Sequence, residues 1–133
     1  AGLESYAKPI VKRIDPDGKY FDRVLYRDAT VSTNGRDNIK DLKCIGHKMK
    51  KLVLVDNNPF SFMMQPNNGI PIKPFVGDAL DEELMSVTLP LLKELAEVDD
   101  IRPALARKYN MVHWFARKGV VLPKGCTLIK PSV

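Results

Sequence analysis

The run of residues 51–58 constrains the fold most, because an apolar segment there ends abruptly in one acid and two amides. Residues 51–55 are typical of a buried strand, and Asp56 stands at its carboxyl end. In an open α/β sheet, ligands bind beyond the carboxyl ends of the strands, where a carboxylate oxygen suits Mg²⁺. Alternatively, Asp56 caps a following helix, since Asp and Asn are preferred at helix starts. The run by itself leaves both interpretations open.

Lys40 is a second candidate for a phosphate site. It lies in the weakly apolar segment Asn38–Leu42. An isolated lysine is usually a solvated surface charge. A site that processes phosphate around Mg²⁺ also needs a cation that holds phosphoryl oxygens and offsets their charge, and a lysine supplies it.

Signals for helices and strands alternate along the chain, which favours an α/β fold with a parallel sheet. The predicted elements are an amphipathic helix over 2–14 ended by a turn at 15–18, a strand over 24–27, a turn at 33–35, a short strand or extended loop over 39–42, the buried strand over 51–55, a short helix near 60–64, an edge strand over 70–72, a helical pattern over 81–98 that Pro90 kinks or divides, and a helix over 100–109.

Seven segments carry a family resemblance: Leu3–Pro9, Asp15–Phe21, Leu25–Asp28, Ile39–Leu42, Val55–Pro59, Asn68–Ile72 and Asp99–Arg102. They resemble the phosphatase domain of the RNA polymerase II tail small phosphatases and of Dullard-type phosphatases, which belong to the haloacid dehalogenase superfamily. The resemblance covers residues 1 to about 109. It implies a Rossmann-like parallel sheet, with residues 1–112 as the carboxy-terminal part of the domain and residues 113–133 as a basic tail.

The resemblance also implies roles for five residues. Lys40 would hold the transferring phosphoryl group, Asp56 would bind Mg²⁺, and Asn57 would orient the shell around the metal. Tyr6 and Arg27 match positions that face a phosphopeptide, although Tyr6 could equally pack in a core and Arg27 form a surface ion pair. The segment between Arg27 and Lys40 is one residue longer than the family pattern.

The first two motifs of that family are missing from these residues. No Asp-x-Asp-x-Thr motif occurs, whose first Asp attacks phosphorus and whose second is the general acid and base. The second motif, a Ser or Thr, would stand just before Ala1. We therefore expect a sheet that is incomplete at its amino end and a chain that is inactive by itself. Its exposed strand edges would be unpaired, so a stable fold would need the absent segment, a partner chain or rearranged pairing.

Charge, cysteine and hydropathy patterns exclude several function classes. The formal charge is +5, and residues 113–133 contain four basic and no acidic residues, which leaves only +1 for residues 1–112. Because residues 1–112 are nearly neutral, the charge pattern argues against nucleic-acid binding. We expect the tail to be solvated and poorly ordered rather than a docking element. No apolar run approaches a membrane span. Cys44 and Cys126 show neither zinc-ligand spacing nor a disulfide framework.

Two function classes remain. The first is a Mg²⁺-dependent phosphoserine or phosphothreonine protein phosphatase, which acts on the RNA polymerase II tail or another regulatory phosphoprotein in the nucleus or cytoplasm. The second is a non-catalytic binding module of the same fold, such as a receptor domain of mitochondrial import. Lys40, Asp56 and Asn57 favour the enzyme, because a receptor has no electrostatic need for this cation and metal ligand.

Overall fold

The computed structural model describes residues 1–129, which combine short strands with helices. They form two compact units, Ala1–Lys40 and the chain from Asp41 onward. The helices and strands are α1 Glu4–Ile14, β1 Val31–Thr33, β2 Arg36–Ile39, β3 Leu54–Asp56, β4 Gly69–Pro71, α2 Leu89–Ala96, α3 Ile101–Tyr109 and α4 Met111–Arg117. Short 3₁₀ turns lie at Arg27–Ala29, Leu42–Ile45, Met49–Lys51, Pro59–Phe62 and Pro66–Asn68, and a π-helical segment lies at Glu83–Thr88.

In the first unit, α1 confirms the helix that the sequence predicts over residues 2–14. Its apolar side is not covered, however. None of its residues is buried, and Ile10 and Ile14 are 42% and 56% exposed. The strand predicted over 24–27 is wrong, since Arg27 begins a 3₁₀ turn instead. Propensity alone does not make a strand without a neighbour to pair with.

The turn that the sequence predicts at the end of α1 is confirmed, and the side chain of Asp15 organises it. Its carboxylate accepts hydrogen bonds from the backbone N–H groups of Lys19 at 2.7 Å, and of Tyr20 and Phe21 at 3.0 Å each. Burial raises the pKa of Asp15, but the backbone donors together outweigh it, so that the pKa lies below its usual value. The ionised form therefore stabilises this turn.

We expect Asp15→Ala to destabilise the first unit above about pH 5, and Asp17→Ala, two residues away in an exposed ion pair, to have little effect. Because the folded-state pKa is lowered, the stabilisation is present above the unfolded-state value of 3.8 and is lost as pH falls through the folded-state value. Denaturation of both variants from pH 7 to pH 2 tests this. A difference between Asp15→Ala and wild type that stays constant over this range would contradict it.

The strands β1 and β2 form an antiparallel hairpin. Asn34 and Gly35 connect them with φ of 52° and 68°, which is the backbone of a type I′ turn and confirms the predicted turn. The register shifts by one residue between the pairs Val31–Ile39 and Thr33–Arg36. Asn38, with φ of 60°, lies within this β-bulge.

In the second unit, β3 and β4 form a parallel pair, with Leu54, Val55 and Asp56 opposite Gly69, Ile70 and Pro71. Both strands confirm predicted ones, but β3 is shorter and only half-buried. Among the described residues β3 pairs with β4 alone. The core beside this pair consists of Ile70, Leu95, Ile101 and Leu105.

The helical pattern over 81–98 is divided as predicted. Pro90 lies in the first turn of α2, where its missing N–H costs least, and the π-helical segment precedes it. The predicted helix over 100–109 is confirmed as α3. Its N-terminal cap is Asp100, whose carboxylate accepts a hydrogen bond from the backbone N–H of Arg102. The same carboxylate accepts two hydrogen bonds from the guanidinium of Arg102. The Arg102 side chain lowers the pKa of Asp100.

The prediction of a poorly ordered tail from His113 is wrong for residues 113–117, which complete α4. Asn110 ends α3 and caps α4, and Phe115 is fully buried. The apolar residues Met111 and Phe115 of α4 are buried and hold this segment in the fold despite its basic residues. Residues 130–133 of the predicted tail lie outside the described residues, and the proposed boundary at residue 112 stays a prediction.

Candidate functional site

Asp56 ends β3 and does not cap the following helical turn. The cap is Asn58, whose Oδ1 accepts from the N–H of Phe60 at 3.1 Å. Asp56 Oδ1 accepts from the N–H of Asn58 at 2.8 Å, and the carbonyl oxygen of Asp56 accepts from Ile72 at 3.2 Å. The residue Asp56 as a whole is only 9% exposed. In two successive turns, the side chains of Asp56 and Asn58 each accept from the backbone N–H two residues later, which fixes the direction of the Asp56 side chain.

The neighbourhood of Asp56 fits an open magnesium site in part. Mg²⁺ binds one or two carboxylates and completes its shell with waters and phosphate oxygens. Asp56 supplies one oriented carboxylate, and Asn57 adds an exposed amide next to it. Within residues 1–129, no group of three or more acidic, histidine or cysteine side chains could hold a metal ion. Asp56 and Asn57 therefore fit as contributors to a metal site but do not form one by themselves.

Lys40 follows β2 directly and is half-buried, in the first unit. The bulge at Asn38 decides which way the end of this strand faces, because one extra residue exchanges the two faces of a strand. With the bulge, Ile39 is 1% exposed. The longer segment between Arg27 and Lys40 stays a prediction.

Asp41, the residue after Lys40, caps the 3₁₀ turn Leu42–Ile45 in the second unit and is held there by Gln65. The Nε2 atom of Gln65 donates to Asp41 Oδ1 at 2.8 Å, and its Oε1 atom accepts from the N–H of Leu42 at 3.0 Å. Asp41 also accepts from the N–H of Lys43. Because Gln65 is fully buried, both of its bonds lie in a site where unpaired polar atoms are costly.

The first unit brings Tyr6 and Arg27 to the same end of α1. Arg27 donates from its backbone to Gly2 at 3.0 Å and from Nε to the carbonyl oxygen of Ala1 at 2.8 Å. A Cβ atom built on Gly2 would lie 3.8 Å from Cδ1 of Tyr6. Tyr6 is 71% exposed, so the alternative of core packing is wrong. Both side chains are accessible to a ligand, and their role in peptide binding stays a prediction.

Comparison with known families agrees with the resemblance in the seven segments. The model of the NLI interacting factor-like phosphatases matches residues 1–102. The chain belongs to this phosphatase family. The match includes Tyr6, Arg27, Lys40, Asp56 and Asn57.

Curated relatives carry phosphatase names. CTD small phosphatase-like protein 2 of Dictyostelium discoideum is 40% identical over 111 residues, which are 84% of this chain and 19% of that protein. The mouse carboxy-terminal domain RNA polymerase II polypeptide A small phosphatase 2 is 34% identical over 80% of this chain and 38% of its own length. Phosphatase Herzog of Drosophila melanogaster is 35% identical over 79% of this chain and 29% of its own length. The chain thus spans about a fifth to two fifths of these relatives.

Two residues that organise the site are not among those predicted from the sequence. Asn58 belongs to the segment Val55–Pro59 that carries the resemblance, but its capping role follows only from the turn that it makes. Gln65 gives no local signal, because its partners Asp41 and Leu42 are more than twenty residues away in the chain.

No helix of the described residues is long and apolar enough to cross a membrane.

We expect Gln65→Glu to lower the free energy of unfolding at pH 7 by about 1–3 kcal/mol, because it buries a second carboxylate beside Asp41. Burial and the like charge raise the pKa of the introduced carboxyl above its unfolded value. The variant therefore loses stability as pH rises through that raised value and recovers it on acidification. The control Gln65→Met should be destabilised equally at all pH values. Urea denaturation between pH 4 and pH 8 measures both, and a Gln65→Glu deficit independent of pH would contradict the bridging geometry.

Proposed function

We propose that this chain contributes part of the active site of a Mg²⁺-dependent phosphoserine or phosphothreonine protein phosphatase that acts through an aspartyl-phosphate intermediate. The observation that carries the proposal is the geometry of Asp56. Its carboxylate is directed by the Asn58 N–H at the end of β3, while the capping role falls to Asn58. We further propose that β3 and β4 belong to a Rossmann-like sheet of the haloacid dehalogenase type, where strand ends hold the catalytic groups.

In this proposal Asp56 is a metal ligand and Asn57 orients the water shell or a ligand next to it. A bound Mg²⁺ ion would neutralise negative charge on the phosphoryl oxygens. The backbone bond from Asn58 keeps one carboxylate oxygen of Asp56 in place, so that little reorganisation is needed when a ligand binds.

Lys40 has the complementary role. Its ammonium group binds the transferring phosphoryl group and offsets the charge of the attacking carboxylate, which is worth several kcal/mol in a water-poor site. The 133 residues contain no Asp-x-Asp-x-Thr motif, and neither Asp28 nor Asp41 lies in such a pattern. The nucleophile is therefore proposed to come from residues outside this sequence.

The substrate is proposed to be a phosphoprotein, either the RNA polymerase II tail or another regulatory protein in the nucleus or cytoplasm. Support comes from the names of relatives, one of which refers to the RNA polymerase II polypeptide A. Tyr6 and Arg27, accessible at one end of α1, are proposed to contact the peptide around the phosphate.

The test compares the 133-residue chain with an extended protein in which an Asp-x-Asp-x-Thr segment of a relative precedes Ala1. We expect aryl phosphate hydrolysis with Mg²⁺ only in the extended protein. There, Asp56→Asn and Lys40→Ala should each lower turnover by about a thousandfold with thermal stability nearly unchanged. Asp99→Asn and Lys48→Ala, at exposed positions, are matched controls.

Turnover by the 133-residue chain equal to that of the extended protein would contradict the proposal. So would wild-type activity in Asp56→Asn. Phosphopeptide binding without turnover in the extended protein would favour the non-catalytic binding module instead. Equal losses of turnover and stability in Lys40→Ala would indicate a structural lysine.

For the peptide site, Tyr6→Ala and Arg27→Ala in the extended protein should raise KM for a phosphopeptide at least about tenfold more than KM for a small aryl phosphate. The reason is that only the peptide reaches beyond the reacting phosphate. Tyr20→Ala, at a tyrosine that is 76% exposed, is the control. An equal effect on both substrates would refute a role in peptide recognition.

A further inference from the structure

Residues Met111–Ile129, called here the strap, follow the family match, which ends at residue 102. The strap begins with α4, and its aromatic residues contact the turn after Asp56. Phe60 makes edge-to-face contacts with Trp114 and Phe115, at centroid distances of 5.9 Å and 5.7 Å, and Trp114 and Phe115 are 5.1 Å apart. Such pairs contribute about 0.5–1.5 kcal/mol each beyond the burial of their area.

The end of the strap binds the same loop at two further points. The N–H of Thr127 donates to the carbonyl oxygen of Met64 at 2.9 Å, and the N–H of Ile129 donates to Oδ1 of Asn67 at 3.3 Å. Asn67 is only 3% exposed, so this bond satisfies a polar atom that water reaches poorly. The strap therefore contacts the loop of residues 57–68 near its beginning, its middle and its end.

This loop has little regular structure of its own. It consists of two single 3₁₀ turns, and its internal backbone bonds, such as those of Ser61 and Met63, reach back only three residues. Single turns of this kind are weakly stable alone. The position of the loop therefore depends on contacts with other segments.

The strap also reaches the turn that follows Lys40 in the chain. Lys43 Nζ donates to the carbonyl oxygen of Gly125 at 3.3 Å. Lys43 belongs to the 3₁₀ turn that Asp41 caps and Gln65 holds. Both turns at the candidate site in the second unit are thus connected to the strap.

We propose that the strap is a positioning element, which fixes the loop of residues 57–68 and through it the direction of the Asp56 carboxylate. The link is the N–H of Asn58, which both belongs to this loop and binds Asp56 Oδ1. The importance of this direction for catalysis rests on the proposed function. The strap itself lies beyond residue 102, where the match to the family model ends.

Hydrogen exchange in the 133-residue chain tests the proposal. Thr127→Pro removes the donor to Met64. It should speed exchange of the Ser61 and Met63 amides at least about tenfold, while the amide of Leu105 in α3 changes less than about twofold. The control is Lys124→Pro. Pro is favourable there because Gly125, with φ of 82°, and the bond from Cys126 to Pro123 indicate a type II turn.

If Thr127→Pro does not fold, a second pair of variants tests the same proposal. Trp114→Leu removes the aromatic contact with Phe60, and His113→Leu changes an exposed neighbour on the same helix. Trp114→Leu should give the same local increase in exchange, and His113→Leu should give none. Equal increases at Leu105, or no increase at Ser61 and Met63, would overturn the proposal.

Mn²⁺ as a paramagnetic probe connects the strap to the metal site. It should broaden the Asn57 amide resonance of the wild-type chain, and both Asp56→Asn and Thr127→Pro should need at least about fivefold more Mn²⁺ for the same broadening. Broadening that persists in Asp56→Asn would refute the proposed metal site and leave the exchange result intact. Normal broadening in Thr127→Pro, with Asp56→Asn impaired, would refute the positioning role alone.

Discussion

Three amide side chains, those of Gln65, Asn67 and Asn68, hold the loop between β3 and β4 in the interior of the second unit. All three are at most 3% exposed. Buried amides are stable only when they are hydrogen-bonded, and each of these bonds to a different segment. Gln65 binds the turn at Asp41 and Leu42, Asn67 binds Ile129, and Asn68 binds the carbonyl oxygens of Met49 and Leu52. The loop is therefore the centre to which the surrounding segments attach.

This arrangement explains how a short parallel sheet can present an ordered acid. The strands β3 and β4 pair over only three residues each, so the ladder by itself orders little. The amides add long-range bonds just before β4, where the connection between the two strands would otherwise be free to move. Their bonds are also directional, which fixes the orientation of the loop around Gln65, Asn67 and Asn68.

The two units also differ in how completely they cover their apolar residues. The second unit has a core around Ile70 and Leu105, whereas α1 in the first unit has no buried residue. The first unit depends more on polar organisation, with Asp15 accepting three backbone bonds and a type I′ turn closing the hairpin.

Local chemistry made much of this protein predictable from the sequence. Turn residues such as Asn34 and Gly35, the break at Pro90 and the strand that ends at Asp56 depend on neighbouring residues, and the structure confirms them. The motifs around Lys40 and Asp56 likewise indicated the family. Only the tertiary structure decided the rest. The bridging of Gln65, the cap at Asn58, the bulge at Asn38 and the docking of α4 depend on partners distant in the chain or on pairing register, and neither spacing nor propensity encodes these.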